Sequence, residues 1–193
     1  MAGYLEVICG GMYSGKSSEL IRRITRAKYA RKKVQLFKPA LDGRYHATKV
    51  VSHDSRNHEA HAVTRVEEVL DAVLPDTDIV AIDEIQFFVP DATITVVERL
   101  LNQGKKVIVA GLDMDFAGRP FGAIPYLLAT ADEIDKIRAI CIKCGNKAYV
   151  SQRLVDGQPA SIDDPQIKVG GVEAYEARCR DCWELKKRDP RNQ

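Results

Sequence analysis

The segment Gly10-Gly11-Met12-Tyr13-Ser14-Gly15-Lys16-Ser17 constrains this chain more than any other. It fits G-x-x-x-x-G-K-[ST], a pattern that has meaning only where a strand runs into it and a helix runs out. Both flanks are present. Leu5-Glu6-Val7-Ile8-Cys9 is a short apolar run ending at glycine, and beyond the segment Leu20, Ile21, Ile24 and Ala27 recur at helical spacing. In that context the glycines turn backbone N–H groups inward around phosphate oxygens. Lys16 reaches the outer phosphates, and the Ser17 hydroxyl ligates Mg²⁺. The start of the helix adds its own attraction for an anion. A ligand-free glycine turn is the plainer reading of the same residues, and the matching flanks weigh against it.

A strand that feeds such a loop implies a parallel sheet. Val34-Gln35-Leu36-Phe37 is a second apolar run, stopped by Lys38-Pro39. The runs Asp78 to Asp83 and Lys106 to Gly111 are near-continuous in β-branched residues, as strands buried on both faces are. Helical patterns cover about Val66 to Leu74 and Pro90 to about Gln103, the latter closed by Gly104. Strand–helix alternation with right-handed crossovers gives a three-layer α/β fold. The stretch from Pro39 to about Asn57 is long for a connection and reads as a functional or mobile loop. His46, His53, His58 and His61 lie in or near it without convincing chelating spacing.

Ile79-Val80-Ala81-Ile82-Asp83-Glu84 supplies a second element. An acid at the end of a buried strand beside a phosphate loop can hold the metal, usually through water. Glu84, next to it, can orient or deprotonate a nucleophile. Alone, the two acids would equally well end a strand. Together with the first motif they describe a Mg–nucleoside triphosphate site and leave the phosphate acceptor open.

From Ala139 the helical periodicity stops, and the last 55 residues are poor in large apolar side chains. Such a stretch cannot build a substantial core alone. Both cysteine pairs lie within it. Cys141-Ile142-Lys143-Cys144 and Cys179-Arg180-Asp181-Cys182 form C-x₂-C…C-x₂-C with 34 residues between. Four thiolates suit a closed tetrahedral Zn²⁺ site. The metal would clip the base of a long loop, where closure removes the most chain entropy. Redox use of the pairs is the weaker alternative. The expected architecture is therefore an α/β P-loop domain with a parallel sheet over residues 1–138, carrying a small zinc-binding domain over 139–193.

Composition narrows the setting. Five cysteines cannot all pair, and Met1 to Glu6 shows no basic region followed by an apolar stretch, so a cytoplasmic protein is expected. Cys9 reads as a small buried apolar residue. No run of about 18 apolar residues exists, so no membrane span is expected. The chain has 29 basic and 27 acidic side chains, a poor balance for holding nucleic acid by charge. Arg22 to Lys33 holds seven cations and no acid, and reads as a solvated helix face. The Lys186-Lys187-Arg188 run reads likewise.

These residues resemble one family over nearly the whole chain: the cellular-type (type II, zinc-containing) thymidine kinases. The resemblance is carried by Gly10 to Leu20, Phe37-Lys38-Pro39, Asp42-Gly43-Arg44-Tyr45 and Ser52-His53-Asp54. It continues through Asp83 to Phe88, Gly111 to Phe116, Pro120-Phe121-Gly122, Val169-Gly170-Gly171, Tyr175 and the cysteine pairs. It implies transfer of the ATP γ-phosphate to the thymidine 5′-hydroxyl. Glu84 would be the general base. Gly10, Gly11, Met12, Tyr13, Ser14, Gly15, Lys16 and Ser17 would hold ATP, with Asp42, Arg44, Asp83 and Gln86 beside them. Mg²⁺ would sit at Ser17 near Asp83. The thymine pocket would use Met12, Phe87, Leu112, Phe116, Phe121 and Tyr175. Read without the resemblance, those scattered aromatics would be core packing.

The segment Gln166-Ile167-Lys168-Val169-Gly170 resembles the family's lasso, which closes over the substrate and reads the base through main-chain groups. A structural zinc on Cys141, Cys144, Cys179 and Cys182 would anchor it. The resemblance further implies a homotetramer and feedback by thymidine triphosphate, with no nucleic acid or membrane partner. Three alternatives stay open on sequence: a kinase for another nucleoside, a P-loop ATPase with a nucleic-acid-binding zinc ribbon, and a catalytically silent zinc module.

Overall fold

Apolar side chains alternate along the inner strands, and the alternation builds two greasy faces. The structure, a computed structural model, describes residues 3–40, 49–51, 57–167 and 174–186. Its main sheet joins β1 (Tyr4–Cys9), β2 (Val34–Pro39), β5 (His61–Val63), β6 (Ile79–Ile82), β7 (Lys106–Gly111) and β8 (Glu133–Lys136). The strand order is β5-β2-β6-β7-β1-β8, and every pairing is parallel. Parallel strands need crossovers, and the helices supply them on both faces.

One face of the sheet offers Ile8, Leu36, Ala81, Ile108 and Ala110 to helix α1 (Lys16–Tyr29), which answers with Leu20, Ile21 and Ile24. The other face offers Leu5, Val7, Cys9, Val80, Ile82, Val107 and Val109. Helices α2 (Glu68–Ala72), α3 (Pro90–Asn102) and α4 (Ile124–Thr130) cover it through Val69, Val96, Val97, Leu100, Ile124 and Leu127. This is the expected three-layer α/β arrangement. Proline opens both α3 and α4, where its missing N–H costs nothing.

Several local outcomes differ from the sequence reading. Helix α2 keeps only the middle of the Val66 to Leu74 pattern. The stretch from Pro39 to Asn57 contains β3 (Lys49–Val51), which pairs antiparallel with β4 (Asn57–Glu59). The basic stretch is not a uniformly solvated face. Arg23 is mostly buried and donates to Glu6, Glu19 and Asp135, with Glu133 at 3.3 Å. Lys32 and Lys33 pair with Asp78 and Asp76. The sign of that stretch is thus partly answered by acids from β1, β8 and the turn before β6.

Beyond α4 the described residues hold no further α-helix. A three-stranded antiparallel sheet runs in the order β10 (Gln158–Pro159), β9 (Val150–Val155), β11 (Tyr175–Arg178). Its apolar contribution is small: Tyr175 packs with Phe116, Ala160 and Ala174, and Ala177 packs with Ala139 and Ala148. Among the described residues no helix is long and apolar enough to cross a membrane.

Candidate functional site

Three central strands end side by side and carry the candidate residues at their carboxyl ends, the usual place for a ligand in an open parallel sheet. β1 runs into the glycine loop, β6 into Asp83-Glu84, and β7 into Leu112-Asp113. The loop needs its glycines. Gly10 has φ 146°, and a Cβ there would lie 2.0 Å from the Ile137 carbonyl oxygen. Gly15 sits in the left-handed region and caps α1, whose first-turn N–H of Glu19 reaches the Gly15 carbonyl. Lys16 is buried, and its Nζ donates to the Gly11 carbonyl at 2.9 Å. The Ser14 hydroxyl donates to the same carbonyl at 2.8 Å. The eight loop residues named from the sequence therefore form one continuous turn from β1 to α1.

Asp83 is buried at the end of β6, hydrogen-bonded to the Ser17 side chain. Burial and the neighbouring Glu84 carboxylate push the Asp83 carboxyl up to about 7, against the pull of Ser17 and Lys16. A buried acid whose anion is disfavoured gains most from a cation beside it. Hydroxyl and carboxyl together are hard oxygen donors, the set that suits Mg²⁺. Glu84 follows in the left-handed region at φ 52° and ψ 36°. That conformation costs a non-glycine residue about 1–3 kcal/mol and is met where surroundings over-determine it. Here Gln86 supplies the restraint. Its amide donates to Glu84 Oε2 at 2.6 Å, and its carbonyl oxygen accepts from the Leu112 N–H at 3.0 Å. Gln86 thus ties β6 to β7 and fixes the Glu84 carboxylate. Gly111 leaves the room it needs, since a Cβ there would lie 2.6 Å from Gln86 Oε1.

The aromatic and apolar residues fall into two groups. Phe87 and Phe121 meet edge to face, with ring centroids 5.8 Å apart. Phe116 and Tyr175 pack with Ala160 and Ala174, and Met12 lies against them. Met12 also ties the glycine loop to β9, since its N–H donates to the Ser151 hydroxyl at 2.8 Å. Tyr13 reaches across as well, donating to the Tyr175 carbonyl at 3.3 Å. Gln166 donates to Asp115 beside Phe116, whereas Ile167 is 48% exposed. The expected positions Asp42, Arg44, Lys168, Val169 and Gly170 lie outside the described residues.

Cys141, Cys144, Cys179 and Cys182 converge. Their four sulfurs lie within 4.8 Å of one another, and none is in a disulfide. Four sulfurs each about 2.3 Å from one ion stand about 3.8 Å apart, so the cluster is of the size that can hold zinc. Burial raises the Cys141 thiol, but N–H groups of Cys179, Cys144 and Lys143 overrule it and pull it down to about 6. Thiolate, the metal-binding form, is thereby favoured at Cys141. Cys9 is fully buried at the end of β1, as expected, and burial with the Asp113 charge pushes its thiol up to about 11.

Several residues of this region carry no sequence motif. Ser151 and Arg153 point into the contact with the glycine loop and the Phe116 cluster. Asp115 Oδ1 accepts from the Ala117 and Arg119 N–H groups and shapes the turn that presents Phe116. Trp183, directly after the last cysteine, donates from its indole to the Phe116 carbonyl at 3.3 Å. A periodicity argument finds none of them, because each is a single polar or aromatic residue in an irregular stretch. The sequence offers only one pointer: Trp183 is the chain's one tryptophan. A family model described as thymidine kinase matches residues 3–183 of this chain.

Proposed function

The chain belongs to the thymidine kinase family, and from that membership we propose its reaction. It transfers the γ-phosphate of ATP to the 5′-hydroxyl of thymidine, giving thymidine monophosphate. The observation that carries this reading is the joining of a phosphate loop to Asp83-Glu84 through Ser17, while Met12 of the same loop packs on the Phe116–Tyr175 cluster. Phosphoryl transfer asks for positioning and charge stabilisation more than for covalent chemistry, and the residues are of that kind.

In this reading the glycine loop and Lys16 hold the triphosphate. Mg²⁺ would be held at Ser17 near Asp83 and would offset charge on the transferred group. Glu84 takes the 5′-hydroxyl proton. Its carboxylate is steadied by Gln86, so the acceptor oxygen meets a fixed base rather than a swinging one. Thymine is flat and carries one methyl, so Met12, Phe87, Leu112, Phe116, Phe121 and Tyr175 suit its faces and edge. Asp42 and Arg44 add phosphate contacts, and Gln166 to Gly170 form the segment that closes over the base. Residues 139–193 act as a zinc-stapled lid on the α/β domain of residues 1–138. Zinc is structural, since all four of its positions are filled by protein. The assembly is a cytoplasmic homotetramer open to feedback by thymidine triphosphate.

A nucleoside panel with ATP and Mg²⁺, scored by monophosphate product, tests the reading. Thymidine is expected to be the preferred acceptor. ATP hydrolysis that ignores every nucleoside would overturn it.

A further inference from the structure

Arg153 is among the most deeply buried side chains of the protein, at 1% exposure. Among the described residues no carboxylate pairs with it. Instead Nε donates to the Tyr175 hydroxyl at 3.0 Å. One terminal nitrogen donates to the Pro165 carbonyl, the other to the Gln166 carbonyl at 2.7 Å. The guanidinium lies over the Phe116 ring, 3.9 Å from its centroid, and 5.3 Å from that of Tyr175. Burying a cation without a counter-ion is costly, and an apolar side chain of similar volume would fill the space at less cost. Arginine is, however, the one side chain whose planar fork can donate to several acceptors while stacking on a ring.

Its partners come from three separate parts of the chain. Phe116 lies on the loop after β7, Tyr175 on β11 opposite Arg153 in register, and Pro165-Gln166 on the segment between β10 and β11. Gln166 closes the circuit by donating to Asp115 Oδ2 at 2.9 Å. Phe116 is thus held at its ring by Arg153 and at its carbonyl by Trp183.

We propose that Arg153 is the positioning residue of the nucleoside wall. It acts from behind, setting Phe116, Tyr175 and the backbone of residues 165–166 at one mutual spacing. This rests on the thymidine reading for its substrate. The bonds of the guanidinium go to Tyr175, Pro165 and Gln166 and not to the phosphate loop, which meets the wall through Met12 and Tyr13. Its loss therefore weakens the nucleoside more than ATP.

The full chain carries Arg153→Met or Arg153→Lys, and both are compared with the unaltered protein. Trp183 is the sole tryptophan, so its emission reports on the Phe116 contact without any turnover. In folded Arg153→Met the thymidine KM is expected to rise by about tenfold or more, with the ATP KM within about twofold. The Trp183 emission shifts. Arg153→Lys keeps the charge but not the fork, and is expected to raise the thymidine KM by about threefold. If Arg153→Met does not fold, Arg153→Lys decides. Unchanged thymidine KM with unshifted emission overturns the proposal, as does a fall in kcat with both KM values unchanged. If the unaltered protein phosphorylates no nucleoside, the functional reading fails separately. An emission unshifted in both variants would then overturn the arginine's role on its own.

Discussion

The two halves of the proposed site are built by different means. The phosphate side rests on a six-stranded parallel sheet, where Leu5, Val7, Ile8, Ile82, Val109 and their neighbours are wholly buried between helices. Its functional groups leave the ends of strands that packing already holds still. The proposed nucleoside side leans on short antiparallel strands whose apolar packing is limited to Phe116, Tyr175, Leu185, Met12 and a few alanines. What holds it is polar: Arg153 on two carbonyls, Ser151 on the glycine loop, Trp183 on Phe116, and four cysteines around a point. Hydrophobic burial supplies the first region's rigidity, roughly 25 cal/mol for each Å² of apolar surface withdrawn from water. The second buries too little apolar surface for that. It depends on directed hydrogen bonds and on four cysteines that could hold zinc, so it is expected to open without unfolding the sheet.

The largest expected effect separates chemistry from architecture. Glu84→Gln should lower turnover by about 10²–10⁴, leaving ATP binding and metal content unchanged. Steady-state kinetics beside a metal assay checks it, and full turnover would remove Glu84 as base. Next comes packing on the sheet side. Leu100 is fully buried in the larger core cluster, so Leu100→Ala should cost about 2–5 kcal/mol in denaturant unfolding. Bound metal should persist in the folded fraction. Cys144→Ser should do the reverse. Zinc would be lost and residues 139–186 would become protease-sensitive, while the sheet's melting temperature moves less than in Leu100→Ala. Equal losses from both variants would erase the distinction between the regions. The smallest effect concerns the fifth cysteine. With its side chain fully buried in the sheet core, Cys9 should be alkylated well after the exposed Cys144 when metal-free protein is treated at neutral pH.

The same contrast explains what could be read from sequence. Strands β1, β2, β6 and β7 and helices α1 and α3 carry long apolar patterns, and each is where those patterns put it. Strand β8 was hidden. Its residues Glu133, Ile134, Asp135 and Lys136 are mostly exposed and charged, and pairing with β1 makes them a strand rather than any preference of their own. Asp135 and Glu133 are nonetheless placed to answer Arg23, which a pattern of seven cations on one stretch does not reveal. The glycine loop, Asp83-Glu84 and the cysteine pairs were legible because their chemistry fixes residue type and spacing. Arg153 was not, since Val150-Ser151-Gln152-Arg153 is buried on both faces despite its polarity. A buried polar strand reads from sequence as an exposed one.

The central proposal is that the sheet domain binds the phosphate donor, and that the nucleoside pocket, to which that domain gives Met12, Phe87, Leu112, Phe116 and Phe121, is completed only by the cysteine-bearing segment that adds Tyr175. Calorimetric titration of zinc-stripped protein, first with Mg–ATP and then with thymidine, tests it most directly. The account predicts ATP affinity within about threefold of the zinc-loaded protein and loss of measurable thymidine binding, a difference of less than about 0.7 kcal/mol for the one ligand against several for the other. Thymidine binding that survives zinc removal, or ATP binding that disappears with it, would contradict the account.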